Sequence, residues 1–142
     1  MATAESCTGG LVAKLATDLV GSSSWFSRGI VSYSNQSKQE LLGVGSDVLE
    51  QFGAVSQQTV EAMVNGLLVS NEVSIGVSIS GIAGPDGGSV DKPVGKVWIS
   101  WKLLNNAPQS RCFQFTGDRT EVRLNAALEA VNGIIELLDT DQ

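Results

Sequence analysis

Three short polar clusters hold most of the side chains in this sequence that could carry out chemistry. The first is Ala4-Glu5-Ser6-Cys7-Thr8-Gly9-Gly10, directly before an apolar helical pattern. A helix N-terminus presents free backbone N–H groups and a partial positive charge, which suit a phosphate or a developing oxyanion. Ser6, Cys7 and Thr8 are candidate nucleophiles or ligands there, and Gly9-Gly10 lets a substrate approach the backbone closely. The alternative is an ordinary N-cap, where Ser and Thr are common.

The second cluster, Ser32-Tyr33-Ser34-Asn35-Gln36-Ser37-Lys38, leads from a predicted strand into a predicted helix. The chain has no histidine, which excludes Ser-His-Asp and Cys-His sites and makes a lysine the obvious candidate for a general base. Such a lysine needs a pKa lowered toward neutrality by burial or by a nearby positive dipole. The alternative for Lys38 is a solvated surface position. Its neighbours Tyr33, Ser34 and Asn35 favour the functional interpretation.

The third cluster is Ser80-Gly81-Ile82-Ala83-Gly84-Pro85-Asp86-Gly87-Gly88, which follows a predicted buried strand. Ligands of open α/β folds bind at the carboxyl ends of strands, where this loop falls. Its glycines match neither the P-loop pattern nor G-x-G-x-x-G. The alternative is a structural loop in which Pro85-Asp86-Gly87 forms an ordinary turn.

Two arginines, Arg119 and Arg123, lie at positions i and i+4 of the last predicted helix. A pair of forked guanidinium groups suits a clamp on a phosphate or carboxylate, and the alternative is surface pairing with Glu121 or Glu129. The acidic residues are scattered without a ligand-like spacing, so we expect no metal. Cys7 is a second candidate nucleophile, because a helix N-terminus can lower the pKa of a thiol.

The elements that must position these clusters alternate along the chain. Apolar periodicity predicts strands over 28–34, 73–80, 94–103 and 109–115, with the last two forming a hairpin. It predicts helices over 9–20, 36–42, 47–52 with Ser46 as N-cap, and 56–69 with Ser56 as cap. Asp118 and Glu121 predict a capping box for the last helix. That helix is expected to bury one face, formed by Leu124, Ala127, Leu128, Val131, Ile135 and Leu138. This alternation predicts one α/β domain, a three-layer α/β/α sandwich with a mixed sheet.

Composition narrows the class of protein further. The 142 residues suit a single domain, and 42% hydrophobic with 17% charged residues is typical of a compact, well-buried chain. A net charge of −6 argues against a nucleic-acid-binding surface. The two cysteines are far apart in sequence, as expected of free thiols in a reducing cytosol. With no apolar run that could span a bilayer and no signal-peptide pattern, we expect a cytoplasmic protein without membrane contact.

The motifs also resemble a known family. AESCTGG (4–10), GSSSWFSRGIVSYSNQSK (21–38), GAVS (53–56), SGIAGPDGG (80–88), KPVG (92–95) and FTGDR (115–119) look like the C-terminal domain of competence/damage-inducible protein CinA. Together these motifs extend over nearly the whole chain. In its stand-alone form the family is nicotinamide-nucleotide amidase, which deamidates nicotinamide mononucleotide (NMN) to nicotinate mononucleotide and ammonia. The resemblance implies this small-molecule substrate, no metal and no cofactor, and a homodimer.

The resemblance also implies roles for particular residues. Ser6 would be the nucleophile, in preference to Cys7, and Lys38 the general base of a serine/lysine acyl-enzyme mechanism. Helix-terminal amides would stabilise the oxyanion. Tyr33 and Ser80 would support proton transfer or substrate position, and Arg119 or Arg123 would bind the nucleotide. The remaining expected substrate-binding positions are Cys7, Thr8, Gly9, Gly10, Asn35, Gly81 and Gly84.

One departure from the family concerns the start of the chain. Members normally begin with another helix and a fuller first strand, whereas only Met1 to Ala4 precede the first motif here. We therefore expect a single amidohydrolase-like domain over 1–142 that lacks this helix and part of this strand. The alternative function is a non-catalytic nucleotide-binding or protein-interaction module of the same family.

Overall fold

A mixed five-stranded sheet forms the centre of the molecule, which a computed structural model describes over residues 1–70 and 72–140. The strands are β1 (Ala2–Glu5), β2 (Arg28–Val31), β3 (Ile75–Gly81), β4 (Lys96–Leu103) and β5 (Gln109–Gln114), in the order β2-β1-β3-β4-β5. β1 pairs in parallel with β2 and β3, whereas β4 is antiparallel to β3 and β5. The predicted mixed sheet, including the β4–β5 hairpin, is confirmed.

Five helices cover the two faces of this sheet: α1 (Leu11–Thr17), α2 (Asn35–Leu42), α3 (Ser46–Phe52), α4 (Gln57–Leu67) and α5 (Arg119–Thr140). One apolar cluster joins α1 and α5 to β3 and β4, and the other joins α2, α3 and α4 to β1. Two separate cores on opposite faces of one sheet are what a three-layer α/β/α sandwich requires. The predicted fold class is therefore confirmed. Within the described ranges, no helix is both long and apolar enough to cross a membrane.

Strand β3 explains how tightly the layers approach each other. Val77 and Ile79 join the core beneath α5, and small residues alternate with them on the opposite face. There, a Cβ added to Gly76 would meet Val64 of α4 at 3.2 Å, and the Ser78 hydroxyl donates to the Val60 carbonyl at 2.6 Å. The small residues on this face of β3 therefore allow α4 to pack close against the strand.

Local capping sets most of the helix starts. The Ser34 and Ser56 side chains accept hydrogen bonds from the Ser37 and Thr59 amides, and begin α2 and α4. At α5 the Glu121 amide donates to Asp118 and the Asp118 amide donates to the Glu121 carboxylate, which confirms the capping box. The predicted Ser46 cap is wrong: α3 begins at Ser46, and its N-cap is Gly45.

Helix α1 is shorter than predicted at both ends. Gly9 and Gly10 have left-handed backbone conformations, with φ of +59° and +102°, so the chain turns there before helical hydrogen bonding begins. At the other end the helix stops before Asp18, and Val20 is fully exposed. Apolar spacing alone does not distinguish a helical leucine from one in the turn that follows, and Leu19 lies in that turn.

The predicted buried face of α5 is wrong. Leu124, Leu128, Ile135 and Leu138 are each 43–54% exposed, and only Ala127 of the predicted set is fully buried. Small residues face the sheet instead, since a Cβ on Gly133 would collide with the indole of Trp101 on β4. The Trp101 indole N–H donates to the Ala130 carbonyl at 2.8 Å. The buried set is Val122, Ala126, Ala127, Ala130, Gly133, Ile134 and Leu137.

Candidate active site

Ser6 and Lys38 meet at the carboxyl end of the parallel strands. Ser6 directly follows β1, and its amide donates to the Ile79 carbonyl of β3 at 3.0 Å, which continues the strand pairing by one residue. Lys38 lies on α2, one turn after the Ser34 cap. Its Nζ lies 3.1 Å from Ser6 Oγ, which is hydrogen-bonding distance. The structure therefore brings together the candidate nucleophile and the candidate base, which lie in separate parts of the sequence.

The environment of Lys38 favours the neutral amine. The residue is fully buried, and burial lowers the pKa of its side chain below the usual 10.5. Its Nζ lies 2.9 Å from the Ser32 carbonyl and 3.1 Å from the Tyr33 carbonyl. None of the ion pairs found in the described ranges involves Lys38, so no carboxylate there offsets the cost of its charge. Nζ therefore has three oxygen partners at 2.9–3.1 Å, the Ser32 and Tyr33 carbonyls and Ser6 Oγ.

Tyr33 contributes to the site through two different groups. Its backbone carbonyl accepts from Lys38 and lies 3.5 Å from Ser6 Oγ. Its side chain is 60% exposed, and the phenolic oxygen accepts from Arg119 Nη2 at 3.2 Å. Arg119 Nη1 donates to the Gly84 carbonyl at 2.7 Å. The guanidinium of Arg119 therefore links the second cluster to the glycine-rich loop at the exposed rim of the site.

Arg123 has different partners, although it lies one turn further along α5. Its Nε donates to the Cys7 carbonyl at 3.1 Å and its Nη2 to the Thr8 carbonyl at 3.0 Å. A Cβ on Gly9 would lie 3.3 Å from the same guanidinium. Arg123 therefore holds the backbone of the turn after Ser6. Neither arginine forms an ion pair with Glu121 or Glu129 in the described part of the chain.

Cys7 is unsuited to be the nucleophile. Burial raises the pKa of its thiol to about 11, which outweighs the opposing effect of its backbone hydrogen bond. A thiol with that pKa is almost entirely protonated at neutral pH, and the thiolate is the reactive form. The expected lowering of its pKa by the helix N-terminus is therefore wrong.

The other predicted site residues lie around this pair with different exposures. Thr8 is fully buried, and its hydroxyl donates to Glu5 at 2.7 Å. Ser80 is buried at the end of β3, one residue beyond the carbonyl that binds the Ser6 amide. Gly9 and Asn35 are exposed, Gly10 and Gly81 are half-buried, and Gly84 is buried. Within residues 1–70 and 72–140, no three cysteine or acidic side chains are grouped as metal ligands would be.

Glu5 is the residue to which the sequence reasoning gave no role. Its carboxylate accepts from the amides of Val12 and Ala13 at 2.8 and 3.0 Å. These two amides belong to the first turn of α1 and are already paired, so they are not free for an oxyanion. An acid between a strand and a helix start was a usable signal, since helix N-termini favour negative charge.

Fold and site together define a three-layer α/β domain with a buried serine–lysine pair at the carboxyl ends of its parallel strands. The family model for the CinA C-terminal domain matches residues 1–138. The chain belongs to the CinA C-terminal domain family.

Several known proteins are similar to this chain over most of its length. Nicotinamide-nucleotide amidohydrolase PncC of Enterobacter agglomerans is 55% identical over 125 residues, which cover 88% of this chain and 76% of that protein. The protein of the same name from Escherichia coli (strain K12) is 50% identical, with 91% and 78% covered. The crystal structure of competence/damage inducible protein CihA from Agrobacterium tumefaciens superposes with a TM-score of 0.93 at 43% identity, covering 96% of this chain and 83% of that one.

Proposed function

We propose that this chain is an amidohydrolase that converts nicotinamide mononucleotide to nicotinate mononucleotide and ammonia by a serine/lysine acyl-enzyme mechanism. The observation that carries the proposal is the buried Lys38 amine, 3.1 Å from Ser6 Oγ and without a carboxylate partner in the described chain. Relatives about half identical to this chain carry the name nicotinamide-nucleotide amidohydrolase, which supports the choice of substrate.

The reaction begins with proton transfer from the Ser6 hydroxyl to the neutral Lys38 amine. Ser6 Oγ attacks the carboxamide carbon and forms a tetrahedral intermediate. Lys38 then gives its proton to the leaving nitrogen, the C–N bond breaks, and ammonia departs from an acyl-enzyme. A water molecule, deprotonated by the same amine, attacks the ester carbon and releases the carboxylate product and Ser6.

Groups around the pair suit the other demands of this reaction. The amides of Cys7 and Thr8 directly follow Ser6, and neither donates to a backbone carbonyl among the described residues. We assign the oxyanion to these two donors. We assign the binding of the NMN phosphate to Arg119, because its guanidinium lies at the exposed rim beside Tyr33 and Gly84. Ser80, Asn35, Gly9, Gly10, Gly81 and Gly84 stay proposed as lining residues.

A turnover assay tests this function directly. Wild-type protein should release ammonia and nicotinate mononucleotide from NMN, with or without a chelator, since the mechanism uses no metal. Ser6→Ala and Lys38→Ala proteins that keep the wild-type circular dichroism spectrum should release neither. Lys14→Ala is the matched control, because Lys14 is exposed and pairs only with Asp18. Full activity in both site variants would contradict the mechanism.

The same assay separates the enzyme from a non-catalytic module. A module that keeps the pocket without turnover would bind a pyridine nucleotide, measurable by calorimetry, and form no product at high protein concentration. The adjacent Ser6 and Lys38 favour the enzyme, because a buried amine is costly to retain where only binding is required.

The homodimer and the cytoplasmic location are proposals of the same kind. Exposed Leu128, Ile135 and Leu138 on α5 support association of two copies, because contiguous exposed apolar side chains mark association surfaces. Sedimentation equilibrium tests it: a monomer at micromolar concentration would contradict the dimer. Cys7 and Cys112 are free thiols, which supports a reducing compartment.

A further inference from the structure

Glu5 is a buried acid that the proposed reaction does not use. Its side chain is only 1% exposed, and it lies at the end of β1, directly before Ser6. Oε1 accepts from the Thr8 hydroxyl at 2.7 Å and from the Val12 amide at 2.8 Å. Oε2 accepts from the Ala13 amide at 3.0 Å and from the Thr3 hydroxyl at 3.4 Å. Each carboxylate oxygen therefore accepts from one backbone amide and one threonine hydroxyl.

These contacts hold the turn that carries Ser6 from below. The carboxylate ties Thr8 and the start of α1 to the end of β1, while Arg123 binds the Cys7 and Thr8 carbonyls from α5. The turn between Ser6 and Gly10 is therefore fixed from both of its sides. A group that fixes this turn also fixes the Ser6 hydroxyl and the Cys7 and Thr8 amides.

The backbone of Glu5 reaches the other half of the catalytic pair. Its carbonyl accepts from the Ser32 amide at 2.8 Å, and the Ser32 carbonyl in turn lies 2.9 Å from Lys38 Nζ. Glu5 therefore contacts both halves of the pair. Its backbone carbonyl binds Ser32, whose own carbonyl binds Lys38, and its side chain binds Thr8 in the turn after Ser6.

We propose that Glu5 is a positioning residue that holds Ser6 Oγ at attacking distance from Lys38 Nζ through its hydrogen bonds to Thr8, Val12 and Ala13. The proposal rests on the proposed function. Both side-chain oxygens must be acceptors, because each accepts from a backbone N–H group. A glutamine in the same place would turn its NH₂ toward one of these amides, and a backbone amide cannot reverse its role as the threonine hydroxyls can.

The test is Glu5→Gln, with Ala16→Gly as the matched control. Ala16 is buried in α1, the helix whose first turn binds the Glu5 carboxylate. Its replacement by glycine therefore weakens α1 without altering any contact of Glu5. The measurements are kcat and KM for NMN, the melting temperature, and the rate at which a fluorophosphonate probe labels Ser6. Labelling reports the reactivity of Ser6 without requiring NMN to be the substrate.

The expected result is a kcat for Glu5→Gln lower than that of Ala16→Gly by about tenfold or more, since misplacement of about 1 Å costs up to about 10²-fold. KM should stay within about threefold, and Ser6 labelling should slow by the same factor as kcat. Equal kcat and labelling rates in the two folded variants would overturn the proposal, because a purely structural role moves only the melting temperature.

Two further outcomes are decided by the same measurements. If Glu5→Gln does not fold, Thr8→Val takes its place, because it removes only the hydroxyl bond to Glu5 Oε1. Slower Ser6 labelling in Thr8→Val than in Ala16→Gly then supports the proposal, and equal labelling overturns it. If wild-type protein turns over no NMN, the proposed function fails. The labelling comparison then still decides the role of Glu5.

Discussion

The catalytic end of the sheet and the outer face of α1 and α5 depart in opposite ways from the rule that apolar residues lie inside. At the catalytic end Glu5, Thr8 and Lys38 are buried, and each has hydrogen-bond partners at 2.7–3.1 Å. At the outer face, large apolar side chains line a groove of about 420 Å³, among them Leu19, Leu128 and Ile135. Buried polar groups cost free energy unless they are paired, and here the pairing creates a reactive geometry. Exposed apolar groups require no such arrangement.

The difference concerns which region depends on precise placement. Lys38 Nζ has partners from two parts of the chain within hydrogen-bonding distance, the turn after β1 and the segment after β2, and helix α2 positions the residue. The outer groove is formed by apolar packing of α1 against α5, with Met1 and Trp25 also in its lining. We therefore expect conservative changes at the catalytic end to reduce activity strongly and changes in the groove to leave activity intact.

The largest expected effect is the joint loss of the serine and the lysine. Ser6→Ala and Lys38→Ala should each lower kcat by about 10³-fold or more, and the double variant should be no slower than the worse single variant, because the two groups act as one unit. Steady-state kinetics with NMN for all four proteins tests this. Independent, multiplying losses would show that Lys38 does not act through Ser6.

The two arginines are expected to separate binding from chemistry. Arg119→Ala should raise KM by about tenfold, because it removes a charge-assisted contact with the phosphate, and should change kcat little. Arg123→Ala should instead lower kcat, since it frees the Cys7 and Thr8 carbonyls and loosens the turn that holds Ser6. The measurement is kcat and KM for both variants. A raised KM in Arg123→Ala together with a lowered kcat in Arg119→Ala would mean that Arg123, and not Arg119, binds the nucleotide.

The pH dependence of activity follows from the lowered pKa of Lys38. In the proposed mechanism the neutral amine is the active form, so kcat/KM should rise with pH through this pKa and level off above it. The limb should lie below 10.5, the usual lysine value, with a slope of about tenfold per pH unit on its acidic side. An activity that falls as pH rises through this region would mean that the charged ammonium is required. Lys14→Ala should give the same profile as wild type.

Sequence patterns predicted the site better than they predicted the packing of the last helix. The absence of histidine and the polar neighbours Tyr33, Ser34 and Asn35 together indicated Lys38, because each is a local feature of the sequence. The prediction of the buried face of α5 was wrong because it selected the large apolar residues. The space beside Trp101 admits only small residues. The role of Glu5 was missed because it depends on where the first turn of α1 begins after Gly10.

The smallest effects on activity are expected from substitutions on α5. One substitution on its buried face and one on its exposed face show which face packs against the sheet. Gly133→Ala should destabilise the fold by about 1–3 kcal/mol, because the added methyl group must displace the Trp101 indole. Leu128→Ala should change stability by about 0.5 kcal/mol or less, since Leu128 is 45% exposed. Urea unfolding of both variants measures the difference, with NMN turnover expected to stay at the wild-type level for each folded protein.

A loss of stability in Leu128→Ala as large as that in Gly133→Ala would show that the outer face is buried in solution, as it would be between two copies of this chain. Repeating the unfolding at several protein concentrations then separates these cases, because only an associating protein gains stability with concentration.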